Sequence, residues 1–357
     1  MWRQLDHLEA PFVIPLIVLA GFSLAVIGSI NPALATQQLV FFILGAILFI
    51  AFFLFDHTIF KSLGWQLYAI IIIMLALSFL GPSVRGSTRW LDIFGFRLQP
   101  SEFVKPLFLI VQAAFLVRFP LKTFKHIVFF FAIFLLPAFL VFKQPDLGNS
   151  LVYIGTTIAL AFVGGMPLRV FLGAGVISII SMPLIWNVLK EYQRLRILTF
   201  LEPQFDAAGA GYNAIQAMIA VGSGEIFGRG LGRGSQSQLR FLPENHTDFI
   251  FASLSEELGF IAGSMVLVMY FLLLIVLLHR SRTTEDSFSR YLIVGCFAQL
   301  FLHSVINIGM NIGLLPITGI TLPFLSYGGS SILSFSIMMG MAARAMKRKR
   351  SSTIAIS

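Results

Sequence analysis

The residues able to do chemistry are gathered in four places, each set among apolar stretches. Glu102 and Lys105 lie three apart near the start of an apolar run, so on a helix they share a face and can pair. Just ahead of them Arg85, Arg89, Trp90, Asp92 and Arg97 crowd a short loop. Ionisable groups within a membrane span are costly and face the bundle interior. The pair therefore reads either as a structural lock between helices or as the charged floor of a cavity. The second place is Lys143-Gln144-Pro145-Asp146-Leu147-Gly148, a turn in which Asp146 is placed to cap the next helix.

The third place is long. Gly222, Gly224, Gly228, Gly230, Gly232 and Gly234 surround Arg229 and Arg233. Such backbone can form an anion nest, or simply a flexible loop; it is not a Walker A motif, because no Lys-Ser/Thr follows at the needed spacing. The segment closes on Glu244-Asn245-His246-Thr247-Asp248, a dense polar cluster meeting the apolar Phe249-Ile250-Phe251. Thr247 is a candidate N-cap with Asp248 in the first turn, where the helix dipole favours a carboxylate. A helix here places Asp248, Ala252, Ser255 and Glu256 on one face, which must point into the protein. The fourth place begins with His303, Asn307 and Asn311, a polar stripe suited to interhelical hydrogen bonds. Gly309, Gly313, Pro316, Gly319 and Pro323 then interrupt the chain, and Ser326-Tyr327-Gly328-Gly329-Ser330-Ser331 extends a small, polar lining.

These residues must be positioned by membrane helices. Of 357 residues, 57% are hydrophobic and 11% charged, with mean hydropathy +0.88, whereas a soluble domain carries about a quarter charged residues. The apolar runs predict spans at about 12–30, 38–55, 65–81, 101–118, 126–142, 148–164, 168–187, 247–278, 291–312 and 322–345, since each crossing needs about 20 residues. They are too long and too continuously apolar for barrel strands. The expectation is an all-α polytopic membrane protein of about ten helices, one domain over 1–357, with a large extracytoplasmic loop at 188–246 between helices 7 and 8. The first run reads as a retained span, not a cleaved signal.

Lys and Arg set the orientation. With the N-terminus inside, cytoplasmic segments hold Arg3, Lys61, Arg118, Lys122, Lys125, Arg169, Arg280, Arg282, Arg290 and the basic tail from Arg344. The short external loops hold only Arg85, Arg89, Arg97 and Lys143, so both termini are expected in the cytoplasm. The long loop carries Lys190, Arg194, Arg196, Arg229, Arg233 and Arg240 against this rule; an anionic external ligand is one reason and solvation another. The net charge of +9 reflects membrane-flanking cations and gives no sign of nucleic acid. Cys296 is the single cysteine, which excludes an intrachain disulfide.

At these motifs the sequence resembles the SEDS (shape, elongation, division and sporulation) family, the RodA type more than the FtsW type. The blocks that carry the likeness are Leu98-Gln99-Pro100-Ser101-Glu102 with Lys105, the run Gln238 to Phe251 with Glu256-Glu257-Leu258-Gly259, and Gly313-Leu314-Leu315-Pro316 through Leu325 to Ser331. Arg89-Trp90-Leu91-Asp92 and Gln144 to Gly148 add to it. The family commonly has a basic residue where Asn245 stands.

The resemblance implies a peptidoglycan glycosyltransferase of the cytoplasmic (inner) membrane that polymerises lipid II on the outer side and releases undecaprenyl pyrophosphate. Implied partners are lipid II, a class B penicillin-binding protein and other elongation-complex membrane proteins. The family's key acid maps onto Asp248, which becomes the expected general base for an acceptor hydroxyl, in a single displacement with inversion. Arg89, Arg196 and Arg240 are candidates for the pyrophosphate; Glu102, Lys105, Glu244, His246, Ser326 and Tyr327 complete the expected substrate site. A divalent cation, Mg or Mn, is a further candidate at the pyrophosphate, although no metal-ligand cluster is visible. A lipid II flippase and a non-catalytic scaffold for the penicillin-binding protein stand as alternatives.

Overall fold

The computed structural model describes residues 9–81, 89–93, 96–189, 191–202, 206, 209–239 and 241–347. Helices occupy all ten apolar runs: α1 (Ala10–Ile30), α2 (Pro32–Leu54), α3 (Gly64–Leu77), α4 (Pro100–Arg118), α5 (Phe124–Lys143), α6 (Leu147–Val163), α7 (Leu168–Val188), then α11 (Ile250–Thr283), α12 (Ser287–Asn311) and α13 (Gly329–Ala345). Six of these are long and apolar enough to cross a membrane, and α3, α6 and α7 are shorter apolar helices. The protein is an all-α polytopic membrane protein. Its one described sheet is a hairpin of β1 (Leu91–Ile93) and β2 (Phe96–Leu98), which pairs Asp92 with Arg97 just ahead of α4.

Side-chain caps start several of the helices, and α2 begins at Pro32 rather than at the expected 38 because Asn31 caps it there. Asn31 accepts from the Ala33 and Leu34 amides to cap α2, Thr123 caps α5, Asp146 caps α6 and Asp286 caps α12. Prolines inside helices free carbonyls that lipid cannot satisfy, and neighbouring helices take them. Pro106 removes the partner of the Glu102 carbonyl, which accepts the Ser334 hydroxyl at 2.7 Å. Pro137 does the same to Ile133, whose carbonyl accepts the Tyr68 hydroxyl at 2.8 Å.

Burial sorts the helices into centre and rim. The most apolar windows of α4 and α12 are 78% and 67% buried, against 17% for α2, so the two helices bearing Glu102, Lys105 and His303 form the middle of the bundle. The helix α7 turns Leu172, Ile179, Met182 and Leu184 outward, as a lipid-facing helix does. The ion pair of Arg280 with Glu9 joins the end of α11 to the start of α1.

Three further expectations about boundaries are corrected. The segment 188–246 is not one loop: it contains α8 (Glu191–Leu201), α9 (Ala210–Ser223) and the short α10 (Ser235–Gln238). The last helix begins at Gly329, not 322, because Pro323 and a left-handed Phe324 (φ 62°) keep the preceding chain irregular. Finally, α11 breaks at Gly259 (φ 76°). The Phe260 and Ile261 amides donate to the Glu225 and Ile226 carbonyls at 2.8 and 3.2 Å. In return, the Arg229 and Gly230 amides donate to the Glu256 and Glu257 carbonyls at 3.0 and 2.9 Å. The glycine-rich loop therefore closes a helix break, which keeps non-helical backbone covered by protein. Its backbone amides also hold carboxylates of the chain itself: Gly232 bonds to Glu257, and just beyond it the Gln236 and Ser237 amides donate to Glu256 at 2.8 and 3.0 Å.

Candidate active site

The site is built around the turn that leads into α11. Asp248 lies in this turn, two residues before the helix. Thr247 is not the cap expected from the sequence, because its hydroxyl bonds back to the carbonyl and carboxylate of Glu244 at 3.3 and 3.2 Å. The polar stripe of α12 holds the turn instead. The amides of Asn307 and Asn311 donate to the Asp248 carbonyl at 3.0 and 3.1 Å, and Asn311 Oδ1 accepts the Ala252 N–H at 3.0 Å. Asn307 also donates to the Ile320 carbonyl at 2.7 Å, so one side chain sets the distance between the Asp248 turn and the irregular segment 312–328.

The Asp248 carboxylate faces that segment. A Cβ built on Gly319 would stand 3.3 Å from Asp248 Oδ2, and Gly319 has φ 72°. Glycine there satisfies a left-handed backbone and leaves room for the acid. Asp248 keeps part of its surface open. Burial pushes its carboxyl up from an ordinary 3.8 to about 6, and Glu244 adds to the rise; Arg89 and Arg196 oppose it, and Asp146 adds a smaller push upward.

The two arginines come from separate elements. Arg89, just before β1, lies 3.8 Å from Asp146 Oδ1. Asp146 also accepts from Gln99 Nε2 at 2.9 Å and from the backbone and side chain of Asn149. It is thus more than a cap: it ties the hairpin, α4 and α6 together beside Asp248. Asp146 was absent from the expected site, although its Gln144-to-Gly148 motif was the available signal. Arg196, on α8, donates to the Thr318 carbonyl at 3.3 Å. Beside it lies a cavity of about 430 Å³ whose walls include Phe200, Met218, Met310 and Leu315. The buried Thr199 hydroxyl on that wall has no hydrogen-bond partner among the described residues.

Glu102 and Lys105 do not form an open floor. Lys105 is 0% exposed; its Nζ is 2.6 Å from Glu102 Oε1 and 2.8 Å from His303 Nε2. With His303 Nδ1 donating to the Thr321 carbonyl at 3.0 Å, Nε2 is left to accept from the lysine. This chain links α4, α12 and the 312–328 segment beneath Asp248. Glu102 Oε2 is buried and without a partner among the described residues.

The remaining expected residues divide by orientation. Glu244 adopts φ 53° and lies at the same turn as Asp248. The His246 ring sits 5.6 Å from that of Tyr327, and burial lowers its pKa, with Glu244 opposing. Tyr327 donates its hydroxyl to Gln37 at 2.6 Å. Ser326 turns inward, its hydroxyl donating to the Thr247 carbonyl and accepting from the Leu322 amide, so it orders two turns. Asn245 Nδ2 donates to the Ser237 carbonyl at 2.6 Å, and the Asn245 carbonyl accepts from Ser253. Arg240 lies outside the described residues, as do Arg85 and Lys190.

Comparison with known proteins follows the same lines. The family profile described as cell cycle protein, covering FtsW, RodA and SpoVE, matches residues 3–351. The peptidoglycan glycosyltransferase MrdB of Escherichia coli K12 is 34% identical over 345 residues, 94% of this chain and 93% of the relative. Among solved structures, a chain of a peptidoglycan synthase complex that coordinates polymerization and crosslinking superposes with a TM-score of 0.81 at 26% identity, covering 95% of this chain and 97% of that one. The rod shape determining protein RodA of Thermus thermophilus shares the fold, with a TM-score of 0.71 at 24% identity over 95% of this chain and 96% of that one.

Proposed function

Because the chain belongs to the FtsW/RodA/SpoVE family of cell cycle proteins, and is a peptidoglycan glycosyltransferase as its curated relatives are named, we propose that it polymerises lipid II with Asp248 as general base. The observation that carries this reading is a partly open carboxylate at the end of the bundle, with arginines from two separate elements acting on it. An acceptor hydroxyl within about 3 Å gives its proton to the Asp248 carboxylate as its oxygen attacks the donor sugar's anomeric carbon. The bond from that carbon to the pyrophosphate oxygen breaks, with inversion from α to β. Undecaprenyl pyrophosphate leaves carrying charge rather than a proton, and Arg89 and Arg196 supply the positive field it needs.

Glu102, Lys105 and His303 position the site from beneath, by fixing α4 against α12 and Thr321. Glu244 and His246 flank the acceptor side. Among the described residues no three His, Cys, Asp or Glu side chains gather as a metal cluster. Glu244 and Asp248 nonetheless present two carboxylates close enough to act on each other. Mg²⁺ is commonly bound by one or two carboxylates together with substrate phosphates, so Glu244 would be the side chain nearest to hand for such an ion, with Asp248 kept free as the base. Such an ion would add Lewis-acid charge at the pyrophosphate.

The chain is placed in the inner membrane with both termini cytoplasmic, which sets Asp248 on the extracytoplasmic side; the Lys and Arg distribution supports this. A class B penicillin-binding protein is the proposed partner, on the strength of the likeness to a chain from a complex that both polymerizes and crosslinks. The test is gel analysis of lipid II products from purified protein, alone and with its cognate transpeptidase, beside a proteoliposome transport assay. Glycan product without transport supports the reading. Transport without product makes the chain a flippase, and neither makes it a scaffold.

A further inference from the structure

The end of the bundle opposite Asp248 holds a second cleft that the reaction does not use. It is a half-open space of about 450 Å³ between the start of α3, the end of α4 and the middle of α5, and Gly64, Trp65, Val111, Phe115, Arg118 and Phe134 line it. Val111 and Arg118 lie seven positions apart on α4, about 10 Å along the helix. The cleft therefore runs from a polar rim into an apolar slot, and Val117 and Phe129 beside it are exposed as lipid-facing residues are.

The rim is cationic. Arg118 is exposed, rests 5.5 Å over the Phe119 ring, and has no ion pair among the described residues. Lys61 is already paired with Asp286 at 3.1 Å and contributes less. The first turn of the 14-residue α3 opens onto the same rim with no side-chain cap from Leu63, so its amides favour an anion. Trp65, 53% exposed, has the position of an interfacial aromatic.

We propose that this cleft binds one anionic phospholipid, with its phosphate at Arg118 and the α3 N-terminus and the first part of an acyl chain in the slot. A free phosphate would leave the slot unused. A zwitterionic lipid would bring its own cation beside Arg118 and Lys61. Basic pockets between transmembrane helices suit anionic head groups for the same reason.

The test uses the full chain with Trp65 as its only tryptophan (Trp2→Phe, Trp90→Phe, Trp186→Phe), in phosphatidylcholine vesicles. Brominated phosphatidylglycerol should half-quench Trp65 at about a fivefold lower mole fraction than brominated phosphatidylcholine, the effect of one cation near the surface. Arg118→Gln should abolish the difference and Arg118→Lys should keep it, with glycan synthesis by Arg118→Gln reporting an intact fold. Inorganic phosphate in the buffer should leave the preference in place. Equal quenching by the two lipids in the unsubstituted Arg118 background overturns the proposal whatever the variants do; so does a preference that survives Arg118→Gln, or one that phosphate erases.

Discussion

If Asp248 accepts the acceptor's proton, its ionisation should be visible in the rate. With the carboxyl pushed up to about 6, about a tenth of the enzyme carries the active carboxylate at pH 5 and about nine-tenths at pH 7, so kcat/KM should rise about tenfold across that interval. Neighbouring charges then give the sign of each further shift. Glu244 raises the Asp248 pKa, so Glu244→Gln should move the limb to lower pH. Arg196 lowers it, so Arg196→Gln should move the limb to higher pH and also slow the plateau by weakening leaving-group stabilisation. The assay is initial-rate polymerisation of fluorescent lipid II by the purified protein with its transpeptidase, from pH 4.5 to 8, with the endpoints chosen to bracket about one and a half units below the pKa and two above. A flat profile between pH 5 and 7 would refute the reasoning, as would Glu244→Gln and Arg196→Gln moving the limb in the same direction.

Asp248→Asn should lower the rate by about 10²–10⁴, the usual reach of a general base, and should stabilise the fold at neutral pH. A carboxyl with a raised folded-state pKa destabilises the protein once ionised: the cost grows as pH rises from 3.8 toward 6 and is complete above it. The stabilisation is therefore up to about 3 kcal/mol at pH 7 and only about 0.5 kcal/mol near pH 4, which thermal unfolding at the two pH values would measure; no difference between them would contradict it. Lys105→Met leaves Glu102 charged and unpaired in the core and should cost about 3–5 kcal/mol, and Glu102→Gln with Lys105→Met should recover part of it. If the double variant unfolds no later than Lys105→Met in a thermal scan, the pairing argument fails. Gly259→Ala meets both a left-handed φ and the Gly228 amide nitrogen, so it should cost well over about 1 kcal/mol and expose the 225–230 loop to protease. A variant as resistant as the parent would show that the loop is held by something else.

Much of the molecule is legible in its residues because the bilayer asks a simple question of each segment. Apolar length decided the ten helix positions, and the turn at Pro145 marked Asp146 as the cap of α6, whereas the caps at Asn31 and Thr123 emerged only in the fold. Intramembrane polarity singled out Glu102, Lys105, His303, Asn307 and Asn311, since lipid gives such groups no partner. The motif around Asp248 pointed to a glycosyltransferase through family likeness. What the residues left open were partnerships between segments far apart in the chain. Lys105 looks equally able to face a ligand or a neighbour until His303 is seen 2.8 Å away. Asp146 reads as a cap until the hairpin brings Arg89 to it. The Gly259 break and the loop that fills it are invisible to periodicity, because a helix and a covered helix break share the same apolar composition. The raised pKa of Asp248 likewise belongs to no stretch of sequence: it arises from burial and from charges delivered by the Glu244 turn, the strand hairpin and α8, which only folding brings into range.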